Sequence, residues 1–205
     1  MVDKELVYNE KDITETPCTS ANTKFFESIE DMKLIDENLF HFHHLRGLHG
    51  PRTHDSNMMD VKDADIMECA RGIMFMLDTW IKKLKENGAY DNHIILIMAD
   101  HGTELDSTET FRSANVLFMV KGYNEHHELW ISDKRVSYDG LDDVYKNLLD
   151  GKQADESVKG LDKATIRVFY KGIDGYYENG DLVEYAVSGI ASDVSNAYET
   201  GVVYK

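Results

Sequence analysis

The amino-acid sequence predicts an α/β fold with a mostly parallel sheet and a small antiparallel β appendage at its C-terminal end. Three observations carry that expectation. Two wholly apolar runs, Ile94-Ile95-Leu96-Ile97-Met98 and Val116-Leu117-Phe118-Met119-Val120, end at polar or turn residues, the pattern of strands covered on both faces. An amphipathic helix pattern precedes the first run, so that helix, glycine stop and strand read as the αβ half of a right-handed crossover. Beyond residue 160 the chain turns to alternating strand patterns and holds six of its eleven tyrosines.

The first apolar run leads straight into Ala99-Asp100-His101-Gly102. Open α/β sheets bind ligands at the carboxyl ends of their strands, which marks this tetrapeptide as a candidate site. Asp100 offers a hard oxygen and His101 a nitrogen, a pair suited to Zn²⁺, Mn²⁺ or Mg²⁺. Gly102 frees the backbone to leave the sheet sharply. Two ligands are half a metal site, and the plain alternative is a solvated turn.

Composition narrows the function classes. A chain of 205 residues with 42% hydrophobic content buries one core, or one core and a small satellite. Acidic residues number 38 against 22 basic ones, a formal charge of -16, so nucleic acid and anionic membrane surfaces are repelled and nucleic-acid binding is excluded. The sequence holds no apolar run of about 18 residues and no charged-then-apolar leader, so neither a membrane span nor an export signal is expected in this chain. Cys18 and Cys69 are too few and too far apart for a metal knuckle or a disulfide framework, and both are expected to be ordinary thiols.

Three regions are expected in order: an irregular lead-in over residues 1–23, a main α/β domain over 24–152, and a β-rich subdomain over 153–205. Phe25-Phe26-Glu27-Ser28-Ile29 suggests a short helix or turn that packs its aromatics. Leu39-Phe40-His41-Phe42-His43-His44-Leu45 alternates as a strand, with Phe40, Phe42 and His44 on one face and His41, His43 and Leu45 on the other. Chelation across the His41 face is open, but satisfaction by hydrogen bonds is the expectation adopted. The loop Arg46-Gly47-Leu48-His49-Gly50-Pro51-Arg52 is expected near the same sheet edge as Asp100.

From about residue 60, Met67, Ala70, Met74, Leu77, Ile81 and Leu84 recur at helical spacing, with Ile66, Ile73 and Trp80 widening the stripe. Asp60 and Asp63 are the candidate caps and Asn87-Gly88 the stop. Leu141, Val144, Tyr145, Leu148 and Leu149 mark a second helix between Asp139-Gly140 and Asp150-Gly151. His126-His127 reads as part of a solvated connection. Asn179-Gly180 is the strongest hairpin signal, because a type I′ turn needs positive φ at both central residues.

The segment His44-Leu45-Arg46-Gly47-Leu48-His49-Gly50-Pro51, the helix that follows it and the strand ending in Asp100-His101-Gly102 together resemble the second half of the sulfatase-like catalytic domain of the alkaline phosphatase superfamily. Lipoteichoic acid synthases and lipid A phosphoethanolamine transferases are the members most similar to it. The resemblance spans roughly residues 24–205 and implies part of an α/β/α sandwich, a C-terminal half without the nucleophile-bearing first part, expected to be inactive alone. It implies that Asp100 and His101 hold a divalent metal ion (Zn, Mn, Mg or Ca) and that His49 contacts the transferred phosphate or sulfate. Pro17-Cys18-Thr19-Ser20 does not match a sulfatase nucleophile motif, since Ser20 and Asn22 stand where proline and arginine are required. Between residues 103 and 112 the further glycines and histidine of the relatives are missing, leaving Glu104 and Arg112 as substitutes.

The implied substrate is a sulfate or phosphate ester of the bacterial cell envelope, and the implied setting of the full-length relative is extracytoplasmic and membrane-anchored. A second reading from another class is a non-catalytic binding module, homo-oligomeric or completed by a partner chain.

Overall fold

Helix propensity and capping build the longest element, α2 (Ile66–Glu86). Asp65 is its N-cap: the side chain accepts from the N–H groups of Met67 and Glu68, which have no carbonyl partner inside the helix. Glu68 in the first turn and Lys83 and Lys85 in the last complement the helix dipole. Asn87 closes the helix and Gly88 follows at φ 69°, the left-handed stop expected from Asn-Gly. The cap lies at neither Asp60 nor Asp63.

A computed structural model describes residues 20–33, 38–102, 115–171, 182–191 and 193–204. The expectations for Cys18, Glu104, Arg112 and the Asn179-Gly180 turn fall outside these residues. Contacts group the chain into two compact units, Met1–Asp91 and Asn92–Lys205.

In the first unit α1 (Ser20–Ser28) and α2 share a core of Ile29, Met58 and Met76, against which Phe25, Phe26, Leu45, Ile73 and Trp80 pack. The inward face of α2 carries Cys69, Gly72, Met76 and Leu84, while Met67 and Met74, expected inside, are exposed. The helix is therefore turned by one residue, about 100°, from the expected stripe. Gly72 is the physical reason. A Cβ there would collide with the Asp55 carbonyl oxygen and lie 2.9 Å from His54 Cδ2, so only glycine admits the neighbouring turn to the helix. That turn is drawn together by Val61 N–H to the Thr53 carbonyl, Asp55 N–H to Met59 and Ala64 N–H to Arg52. Residues 39–45 form no strand, and Leu39, Phe40 and Phe42 are exposed.

The second unit corrects the predicted fold class. β1 (Ile95–Met98) and β2 (Phe118–Lys121) do pair, but antiparallel, with Leu96 opposite Val120 and Ile97 opposite Met119. They form a two-stranded sheet; among the described residues there is no parallel sheet, and hence no α/β/α sandwich. The physical reason lies in burial. Of the eight strand residues only Ile95 is buried, so these are not interior strands covered on both faces as parallel sheets require. One face, with Ile94, Leu96, Phe118 and Val120, packs on Val144 and Leu148 of α3 (Leu141–Leu149) and on Leu161.

The short helix α4 (Ala154–Ser157) follows. It is fixed by Glu125, a buried carboxylate that accepts from Gly122 N–H and Ala154 N–H, each at 2.6 Å. The chain ends in a three-stranded antiparallel sheet, β3 (Ile166–Lys171), β4 (Leu182–Val187) and β5 (Ala197–Tyr204), with β4 central. Ile166 opposite Val187 and Lys171 opposite Leu182 set the β3–β4 register of a hairpin. Glu184, buried on β4, accepts from the Tyr204 hydroxyl at 2.8 Å and stands 3.6 Å from Arg167 Nε. No helix among the described residues is long and apolar enough to cross a membrane.

Candidate functional site

Asp100 and His101 lie at the carboxyl end of β1, in the second unit. The strand ladder continues one step past β1 through Ala99 N–H to the Leu117 carbonyl at 3.1 Å, then releases the chain. The His101 N–H donates to Asp100 Oδ1 at 2.9 Å, which fixes the carboxylate over the turn. His101 Nδ1 lies 2.7 Å from the Gly102 carbonyl oxygen. A carbonyl only accepts, so Nδ1 carries a proton, and in the neutral ring Nε2 holds the lone pair that a metal-binding imidazole needs. Nε2 stands 3.9 Å from Asp100 Oδ1, and the two side chains are 57% and 74% exposed, open to an ion from solvent.

The pair therefore fits two ligands of a divalent cation, an imidazole nitrogen already oriented by a backbone carbonyl and a carboxylate oxygen beside it. Among the described residues no group of three or more His, Cys, Asp or Glu side chains stands within reach of one ion.

Tyr138 belongs to the same strand end and was not singled out from the sequence. Its hydroxyl lies 3.1 Å from the carbonyl oxygens of both Ala99 and Leu117, tying the ends of β1 and β2 immediately before Asp100. Burial pushes its phenol above the usual range; the bond to Ala99 opposes this, and the nearby Asp100 charge adds to it. The ring packs on Phe118 at 5.7 Å. The only sequence signal was a tyrosine just ahead of the Asp139-Gly140 helix start.

His49 lies in the first unit, on an exposed loop whose Gly50–Pro51 bond is cis. Asn22 of α1 holds the loop by donating to the Gly47 carbonyl at 3.0 Å. Arg46 folds back over it, donating to the carbonyl oxygens of His49 and Gly50. His49 Nδ1 lies 2.8 Å from the Gly50 carbonyl oxygen and 3.2 Å from Arg46 Nη2, so the ring is held by its own loop. Asn22, Arg46, His49, Arg52 and His54 line a shallow cleft.

Cys69 forms part of this cleft's lining and meets His54. Its Sγ lies 3.1 Å from His54 Nε2; the thiol is wholly buried and the imidazole 3% exposed. Burial pushes the His54 pKa below its ordinary value, against the opposing effects of Cys69, Asp55 and Asp60. Burial pushes the Cys69 thiol up, against the pull of Arg52. Both shifts favour a neutral thiol beside a neutral imidazole, so Cys69 is not an activated nucleophile. A separation of fifteen residues hid this pair from motif reading.

The remaining histidine clusters divide. His127 Nε2 is 3.9 Å from buried Glu125, whose carboxylate is already engaged by two backbone N–H groups. His43 packs on Phe25 at 4.8 Å between ring centres, and its basicity is lowered by burial and by His41. Comparison with known protein-family models, with characterised proteins and with solved structures gives no match to this chain.

Proposed function

We propose that this chain carries part of a metal-assisted site for sulfate or phosphate esters of the sulfatase-like class, in an extracytoplasmic enzyme of the bacterial cell envelope. Asp100 and His101, in the second unit, hold a divalent cation; for His49, in the first, contact with the ester's anionic group rests on the sequence resemblance alone. The observation that carries the reading is His101 Nδ1 at 2.7 Å from the Gly102 carbonyl oxygen, which presents Nε2 to solvent beside the Asp100 carboxylate. When bound, the cation would offset the charge that grows on non-bridging oxygens during transfer.

The chain's own residues do the rest of the positioning. Tyr138 holds the Ala99 carbonyl, and with it the root of the ligand pair. Arg46 shapes the loop that carries His49, and His49, once protonated, can donate to an ester oxygen. The attacking group is assigned to no residue of this sequence, so binding rather than turnover is the readout. Titration of the chain with Mn²⁺ or Zn²⁺ should show an event that Asp100→Ala and His101→Ala each weaken about tenfold, ~1.4 kcal/mol. Titration with an aryl phosphate or aryl sulfate should shift the His49 ring resonances. A cation titration that neither alanine change alters would overturn the reading.

A second reading is supported by a separate observation. Each strand of the β1–β2 sheet has one hydrogen-bonded neighbour among the described residues, which suits a scaffold completed by a strand from a partner chain. Light scattering separates the two readings: a stable monomer that binds the cation favours the first, and a metal-indifferent oligomer the second.

A further inference from the structure

Residues 39–45 pair with no strand, yet alternate aromatic and histidine rings along them lie next to each other. The rings of His41 and His43 are parallel to within 2°, with centres 6.1 Å apart; Phe42 and His44 form a second pair at 6.4 Å. Two residues of extended chain advance about 6.6 Å, and alternate side chains share a face. Both separations therefore fit a stretched segment that puts His41 and His43 on one side and Phe42 and His44 on the other.

Sequence reasoning favoured hydrogen bonds for these histidines. Among the described residues, neither the His41 nor the His43 ring takes part in a hydrogen bond or an ion pair. Their neighbours are each other and, for His43, the Phe25 ring at 4.8 Å, which braces one of the two imidazoles against α1. Two imidazoles side by side, His43 half-covered by Phe25 and His41 exposed, without a carboxylate partner, form a nitrogen-only donor set. Such donors favour borderline transition ions over Mg²⁺ or Ca²⁺, and metal–nitrogen distances of about 2.0–2.1 Å lie within reach of paired rings that turn toward a common ion. The surrounding charge of -16 also concentrates cations.

We propose that His41 and His43 chelate one borderline divalent transition-metal ion of the Ni²⁺, Cu²⁺ and Zn²⁺ class, with water completing its shell. The site uses other residues and another unit than Asp100 and His101, so it stands independently of the ester-site reading.

Its test is Ni²⁺ titration of the full chain carrying Asp100→Ala and His101→Ala, followed by calorimetry and by broadening of histidine ring signals. One ion is expected to bind, with the His41 and His43 signals broadening ahead of His44. Adding either His41→Ala or His43→Ala should each lower affinity about tenfold, the mark of chelation, while His44→Ala leaves it unchanged. Losses of only twofold in each single variant, equal broadening of all nine histidines, or no Ni²⁺ binding in the Asp100/His101 background would overturn the proposal. Persistence of binding in that background while Mn²⁺ binding disappears would separate the two sites.

Discussion

Two imidazoles in this molecule sit beside an acidic partner and meet opposite fates. His54 is sealed against the Cys69 thiol in the core of the first unit; His101 stands at a strand end in the second, beside Asp100 and open to solvent. Burial penalises charge on both members of the first pair, and His54 and Cys69 remain neutral and locked. Exposure leaves the second pair hydrated and available, with Nδ1 occupied and Nε2 free to bind. The same ring is packed into a core in one place and left open to solvent in the other, and its surroundings decide which.

Breaking the buried side of this contrast should produce the largest effect. Gly72→Val places a side chain where the Asp55 carbonyl and His54 already stand, and should cost about 1–3 kcal/mol, read by denaturant unfolding. The pH profile of stability sharpens the same point. His54 has a folded pKa below its ordinary 6.5, so the folded state binds fewer protons than the unfolded one as pH falls. Its contribution is present above about pH 6.5 and lost below it. Cys69 has a folded pKa above its ordinary 9.0, so its contribution is present below that value and lost as pH rises through the folded pKa. The pair is thus most stabilising between these limits, and in His54→Asn the decline immediately below pH 6.5 should flatten.

Smaller effects belong to the exposed side. Tyr138→Phe removes the hydroxyl that ties Ala99 and Leu117, and should cost about 0.5–1.5 kcal/mol while weakening cation binding only indirectly. His101→Ala should change stability by no more than about 0.5 kcal/mol, since an exposed side chain bonded only to neighbours in its own turn contributes little. A large loss of stability in His101→Ala would erase the contrast.

Much of the local structure was legible. The apolar spacing and Asn87-Gly88 placed the long helix, and the alternation after residue 160 marked strands that do pair in a hairpin. Strand direction was not legible, because an unbroken apolar run such as Ile94–Met98 carries no information about which way its neighbour runs. The inward face of α2 was displaced by one residue because Gly72 has no hydropathic weight, although its missing side chain is what admits the His54 turn. Asp60, Asp63 and Asp65 are chemically equivalent as caps; only the extended backbone at Asp65, φ -60° and ψ 144°, selects it. Of the site residues, Asp100 and His101 were visible as a strand end, whereas Tyr138 reaches Ala99 from 39 residues away and Cys69 meets His54 through the fold alone.

The most direct test is calorimetric titration of the full chain with Mn²⁺, run in parallel on the Asp100→Ala/His101→Ala double variant at unchanged stability. A saturable event in the native chain that disappears in the variant is the result expected for an exposed, pre-oriented ligand pair. Identical isotherms from the two proteins would show that the strand end is an ordinary solvated turn.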